Sequence, residues 1–188
     1  MNRLAVFASG SGTNFEAIAA ACRDGVIDAQ VSLLVCDHPE APVVERAHRF
    51  GIPVFSFRPG EFGCKADYEK QIVERLDSLE VELVCLAGYM RIVGPVLLEG
   101  YAGRIINIHP ALLPSFKGAH AIRDEFEYGV KVFGVTIHYV DETLDGGKII
   151  AQRGFEYYGD DIALVEARTH EIEHELYVET IKKLLEKK

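Results

Sequence analysis

The sequence has no closely spaced cysteines. Cys22, Cys36, Cys64 and Cys85 stand far apart, which excludes the paired ligands of a zinc motif and the density of a disulfide scaffold, so reduced thiols in the cytoplasm are expected. No apolar run reaches membrane-spanning length. The first residues, Met1-Asn2-Arg3-Leu4-Ala5-Val6, enter a strand pattern at once, without the charged and apolar regions of a secretory leader. Positive charge is scarce: 20 Lys and Arg face 29 Asp and Glu, for a formal net charge of −9. That balance speaks against a broad nucleic-acid-binding surface and leaves room for a local anion site. Internal repeats, low-complexity segments and linkers are missing too. A chain of 188 residues can bury one good core and is short for two, so a single domain over residues 1–188 is expected.

What the chain does have is a strict alternation of patterns. Leu4 to Ala8, Val31 to Cys36, Val54 to Phe57, Leu83 to Ala87 and Ile105 to Ile108 read as short buried strands. Between them, segments near Asn14 to Arg23, Pro42 to Phe50, Ala66 to Leu79 and Pro95 to Glu99 carry apolar residues at helical spacing. Such alternation implies right-handed crossovers and a parallel sheet covered on both faces, the α/β Rossmann-like class. After His109 the pattern changes. Val132 to Val140 and Lys148 to Ala151, joined through Asp145-Gly146-Gly147, predict an antiparallel extension with a short turn, hence a mixed, mostly parallel sheet. Ile162 to Lys188 reads as a last helix with lysines near its end, where the helix dipole favours them.

Three features carry chemistry. The fifth strand ends in Asn107-Ile108-His109-Pro110; alternation puts Asn107 and His109 on one side, at the carboxyl edge where open α/β sheets bind ligands. Taken singly, each residue is more simply read as a paired buried polar group. Ser9-Gly10-Ser11-Gly12-Thr13-Asn14 joins the first strand to the first helix, where backbone donors can hold a phosphate. Phe15 stands where the dinucleotide fingerprint needs a third glycine, and no lysine follows as in a nucleotide hydrolase. An ordinary turn with Thr13 or Asn14 as helix cap is the plainer alternative. Downstream, Thr136 and His138 share one face of a strand, with His138 open to a core, surface or site role, and Asp145 before two glycines is first of all a turn former. His109, His120, His138 and Asp145 are suitable zinc ligands, yet their spacing matches no metal motif, and no metal is expected. An amide donor, a histidine and a carboxylate together suit addition to a carbonyl instead.

These stretches, with Ala87-Gly88-Tyr89-Met90-Arg91-Ile92, Leu112-Leu113-Pro114 and Leu144-Asp145-Gly146-Gly147, occur in an order that resembles the phosphoribosylglycinamide formyltransferases of the formyltransferase superfamily. The resemblance runs from the first strand into the final helix. It implies 10-formyltetrahydrofolate as formyl donor, the amine of glycinamide ribonucleotide as acceptor, and direct transfer through a tetrahedral intermediate. By motif it implies Asn107, His109 and Asp145 as the catalytic trio, Gly12, Thr13 and Asn14 as the phosphate cradle, and Glu173 as a ribonucleotide contact. Tyr89, Met90, Arg91, Ile92, Val93, Val140 and Asp141 resemble the walls of the folate pocket, and Lys65 falls where relatives can have an arginine near the folate tail. Lys117, Ala119 and Val178 depart from the family pattern, Val178 replacing a proline after the helix tyrosine. The extra RNA-binding domain of methionyl-tRNA formyltransferase and the regulatory domain of formyltetrahydrofolate deformylase are not expected. The partners implied are small molecules, with a monomer or homodimer and no nucleic acid or membrane. A formylfolate hydrolase using the same trio and a non-catalytic nucleotide sensor are the competing classes.

Overall fold

The computed structural model describes residues 1–186; Lys187 and Lys188, at the end of the expected last helix, lie outside the described residues. The first half of the chain alternates as anticipated: β1 (Asn2–Phe7), α1 (Thr13–Arg23), β2 (Ala29–Cys36), α2 (Pro42–Arg49), β3 (Val54–Ser56), α3 (Lys65–Ser78), β4 (Leu83–Leu86), α4 (Pro95–Gly100) and β5 (Ile105–His109). Then come α5 (Ala121–Tyr128), β6 (Val132–Tyr139), β7 (Ile149–Glu156) and α6 (Ile162–Glu186). All seven strands form one sheet in the order β3-β2-β1-β4-β5-β6-β7. The pairings through β5 are parallel, whereas β6 and β7 run antiparallel to their neighbours.

The period of two along each strand divides the core into two layers. Leu4, Val6, Cys85, Ile106 and Ile108 pack on the side of α1, α2 and α6, and Ala5, Phe7, Val84, Leu86 and Ile105 pack on the side of α3 and α4. By the same alternation Asn107 shares a face with Ile105. Helix α6 is held by Val165, Thr169, Ile172 and Leu176, spaced three or four residues apart and all buried. Its Tyr177 is fully buried and donates its hydroxyl to the carbonyls of Leu86 (2.8 Å) and Ile106 (3.3 Å), tying the helix across β4 and β5. With valine at 178 the backbone donor is retained, and the helix continues to Glu186.

Three expectations change. Helix α5 escaped the hydrophobic pattern because its buried residues are Ala121 and Glu125, and a charged residue does not register as part of an apolar stripe. The link between β6 and β7 is a loop over residues 140–148 rather than a short turn. Strand β7 extends to Glu156, beyond the expected Ala151; it is an edge strand whose exposed and half-buried residues largely alternate, so no continuous apolar run marks it.

Candidate active site

Loops at the carboxyl ends of β1, β4 and β5, together with residues 140–145 and one face of α6, surround a cavity of about 550 Å³. It lies where the strand order reverses between β1 and β4, the position at which open α/β sheets form ligand crevices.

Pairing of β5 with β6 sets Asn107 opposite His138 and His109 opposite Thr136. Thr136 is committed to structure: its hydroxyl donates to the Ala111 carbonyl at 2.7 Å and accepts from the Leu113 N–H at 3.0 Å, holding the loop that leaves β5. His138 is buried, and its Nδ1 lies 2.8 Å from the Tyr139 carbonyl, which can only accept, so Nδ1 carries the hydrogen. Burial pushes the His138 pKa down, outweighing that bond and the nearby Asp145 charge, and keeps the ring neutral. Its Nε2 is therefore a lone pair, which accepts from Asn107 Nδ2 at 3.1 Å. The 3.8 Å approach of that nitrogen to Asp145 is accordingly no ion pair.

His109 is also buried, with Nε2 2.8 Å from the carbonyl of Phe116. The hydrogen of that bond sits on Nε2, so proton exchange falls to Nδ1, which is 3.5 Å from Asp145 Oδ2. Asp145 takes a left-handed backbone conformation (φ 46°) and accepts from the Gly118 N–H at 2.8 Å. Aspartate is one of the few residues that tolerates this conformation. The following Asp-Gly-Gly turn passes so close to β6 that a Cβ on Gly147 would overlap the Tyr139 carbonyl. The turn chemistry read from Asp145-Gly146-Gly147 and the trio Asn107, His109 and Asp145 thus occupy one place.

The glycine loop forms a second part of the cavity. Gly12 caps α1 with φ 77°, and a Cβ there would overlap Val43. Among the described residues no side chain caps the helix, so its first-turn N–H groups are not taken up by Thr13 or Asn14. Asn14 instead donates to Glu173 at 3.4 Å, and its Oδ1 is buried without a partner among the described residues. His170, which had no role in the sequence reading, lines the cavity beside them, its Nδ1 2.7 Å from Glu173. The Glu173 carboxylate holds the His170 pKa above the ordinary histidine value. The spacing of three residues on a helix was the signal available for this pair.

Tyr89, Met90, Arg91, Ile92 and Val93 form a further wall, and Val140 and Asp141 line the cavity next to the Asp145 loop. Asp141 is folded back on Thr143, accepting from its N–H (2.8 Å) and hydroxyl (2.6 Å), which lowers its pKa. Lys65 does not line the cavity; its ammonium donates to the Ile92 carbonyl at 2.9 Å. Among the described lining residues Arg91 is the only lysine or arginine, and its Nε donates to Asp37 at 2.8 Å. No group of three or more His, Cys, Asp or Glu side chains suited to a metal ion is found among the described residues.

Residues 2–181 match the model of the formyl transferase family. The chain is 51% identical to phosphoribosylglycinamide formyltransferase of Bacillus subtilis over 98% of its own length and 95% of that protein. It is 38% identical to the Haemophilus influenzae protein of the same name, over 97% of this chain and 86% of the relative. Among solved structures, glycinamide ribonucleotide transformylase 1 from Geobacillus kaustophilus superposes with a TM-score of 0.96 at 50% identity, covering 98% of this chain and 99% of the other.

Proposed function

The chain belongs to the formyl transferase family, and from that premise we propose that it transfers the formyl group of 10-formyltetrahydrofolate to the amine of glycinamide ribonucleotide in purine biosynthesis. The observation that carries this reading is the convergence of Asn107, His109 and Asp145 in one cavity, continuous with a glycine loop at a helix start. An uncapped helix N-terminus suits the phosphate of the acceptor, with Gly12, Thr13 and Asn14 as its cradle and Glu173 beside it. The folate lies along residues 89–93, Val140 and Asp141.

In this reading the acceptor amine attacks the formyl carbon directly, through a tetrahedral intermediate, and no covalent adduct with the protein forms. Asn107 spends one amide hydrogen on His138; the other is free to meet the oxygen that gains charge. A donor aimed at that oxygen contributes about 3 kcal/mol of transition-state stabilisation. His109 serves as a second donor through a protonated Nδ1, and Asp145 orients the ring and relays the proton that the amine loses to the folate nitrogen as its bond to the formyl carbon breaks. Because His109 Nε2 is engaged by Phe116, the exchange with Asp145 runs through Nδ1. The substrates are small molecules, and the chain acts as one domain in the cytoplasm, as a monomer or homodimer.

The test is a transfer assay with both substrates, following tetrahydrofolate, formylated ribonucleotide and formate. Formylated ribonucleotide in step with tetrahydrofolate is expected. Formate released at the same rate with and without the amine would replace transfer by hydrolysis.

A further inference from the structure

The 88–94 segment, between β4 and α4, has no strand or helix of its own and must be held from outside. Tyr89 and Val93 are buried, whereas Met90 and Ile92 are 66% and 64% exposed, so apolar packing secures its flanks but not its middle. Polar bonds do the rest. Ser9 donates its N–H to Gly88 (3.0 Å), and its hydroxyl accepts from the Met90 N–H (2.9 Å). That hydroxyl then donates to Asp37 Oδ1 at 2.5 Å, while Arg91 Nε donates to Oδ2 at 2.8 Å.

Asp37 follows β2 and is absent from the cavity lining, and its side chain is 0% exposed. A buried carboxylate is costly unless both oxygens are satisfied. Here both are, with His38 Nδ1 at 3.1 Å as a further partner. Burial alone would raise the Asp37 pKa; the bonds from Ser9, Arg91 and His38 outweigh it, so the group is held below the ordinary carboxylate value and stays ionised. One charged group thus ties together the loops after β1, β2 and β4.

We propose that Asp37 is a positioning residue for the formyl-donor wall: through Ser9 and its own bond to Arg91 it fixes Met90 and Arg91, and so sets folate affinity without touching the reacting atoms. This rests on the assignment of that wall to the folate. Asp37 escaped sequence reading because a single acid after a strand is usually a loop residue; its partners, at positions 9 and 91, are remote in the chain.

The test uses Asp37→Asn, which keeps the shape but has one acceptor oxygen and turns an amide NH₂ toward the other donor. Its KM for 10-formyltetrahydrofolate should rise about tenfold or more, while kcat and the ribonucleotide KM stay within about twofold. In an Arg91→Ala background the same change should add much less, because the two residues act as a unit. An unchanged folate KM, or equal losses for both substrates and kcat, would overturn the proposal. Should Asp37→Asn fail to fold, Ser9→Ala breaks the same link, and an unchanged folate KM there overturns it equally. Calorimetric folate binding, run in parallel, separates the two readings. A wild-type chain that binds folate but formylates nothing sinks the reaction alone, since the folate Kd still reads the Asp37 effect; one that binds no folate sinks both.

Discussion

Asn107 donates its side-chain amide to His138 Nε2 across the β5–β6 pair, at 3.1 Å, and that bond fixes which way the amide faces. The orientation follows from the Tyr139 carbonyl, which requires the hydrogen on His138 Nδ1 and leaves only a lone pair for Asn107. Replacing His138 by alanine should let the amide turn, lowering turnover by up to about a hundredfold while the KM values change little. Steady-state kinetics check this; a His138→Ala variant with wild-type kcat would show that the amide needs no such support.

His138 also predicts a pH dependence of stability. Burial lowers its pKa in the folded state, so below the ordinary histidine value the unfolded chain takes up a proton that the folded chain resists. Stability from this group is present above that value and declines as pH falls below it. Thermal unfolding between neutral and acidic pH should show a smaller decline in His138→Gln than in the parent. Identical slopes would mean that His138 does not contribute.

Asp145→Asn separates proton transfer from backbone shape. Asparagine tolerates the left-handed conformation at this position, so the loop should keep its form and both substrates should still bind. Turnover should drop by about 10² to 10⁴, the range for loss of a positioned proton-transfer group. Single-turnover measurements would detect the loss in the chemical step, and a loss of binding with turnover intact would remove Asp145 from that role.

The parallel part of the sheet and the shared side of Asn107 and His109 were legible because they rest on local patterns, whereas Asp145 joined them only through the family resemblance. Period two along β5 predicts that Asn107 and His109 share a side, and the aspartate before two glycines marks a turn whichever role it plays. Pairings between distant segments were not legible. Nothing near His138 says that its partner is Asn107, and nothing near Glu69 says that it accepts from the Gly94 N–H at 2.6 Å. Lys65 shows the same limit: its place in the motif suggests a ligand contact, and nothing near it in the chain says that its ammonium reaches the Ile92 carbonyl. Helix α5 was hidden because Glu125 occupies its buried face, with burial pushing that carboxyl up to about 7.

Gly12→Ala tests the phosphate cradle. At φ 77° a side chain is strained by roughly 1–2 kcal/mol, and its Cβ would also press on Val43, so the loop must shift. Calorimetry on the parent should give much tighter binding of the ribonucleotide than of its dephosphorylated analogue, and Gly12→Ala should narrow that difference. Equal affinities of the parent for both compounds would remove the cradle.

His170 and Glu173 should make the glycine-loop side of the cavity, the proposed phosphate site, sensitive to pH. The sole lysine or arginine among the described lining residues is Arg91, already matched by Asp37; Arg46, outside the lining, donates to the Ser11 carbonyl of the glycine loop and is paired with Glu16, so a protonated His170 adds a titratable positive charge within the lining. Its bond to Glu173 raises its pKa, outweighing desolvation. Such a group stabilises the fold fully below the unfolded histidine value and loses that contribution as pH rises through its own higher value. The ring is half exposed, so the stability change should be small and ligand affinity the better readout. Ribonucleotide binding should weaken as pH rises through the His170 titration, followed by NMR of the ring, and His170→Ala should flatten the profile. Glu173→Gln should bring the titration back toward the ordinary histidine range. A profile that is unchanged in His170→Ala would assign the pH dependence to the phosphate of the ligand itself, which also titrates near pH 6.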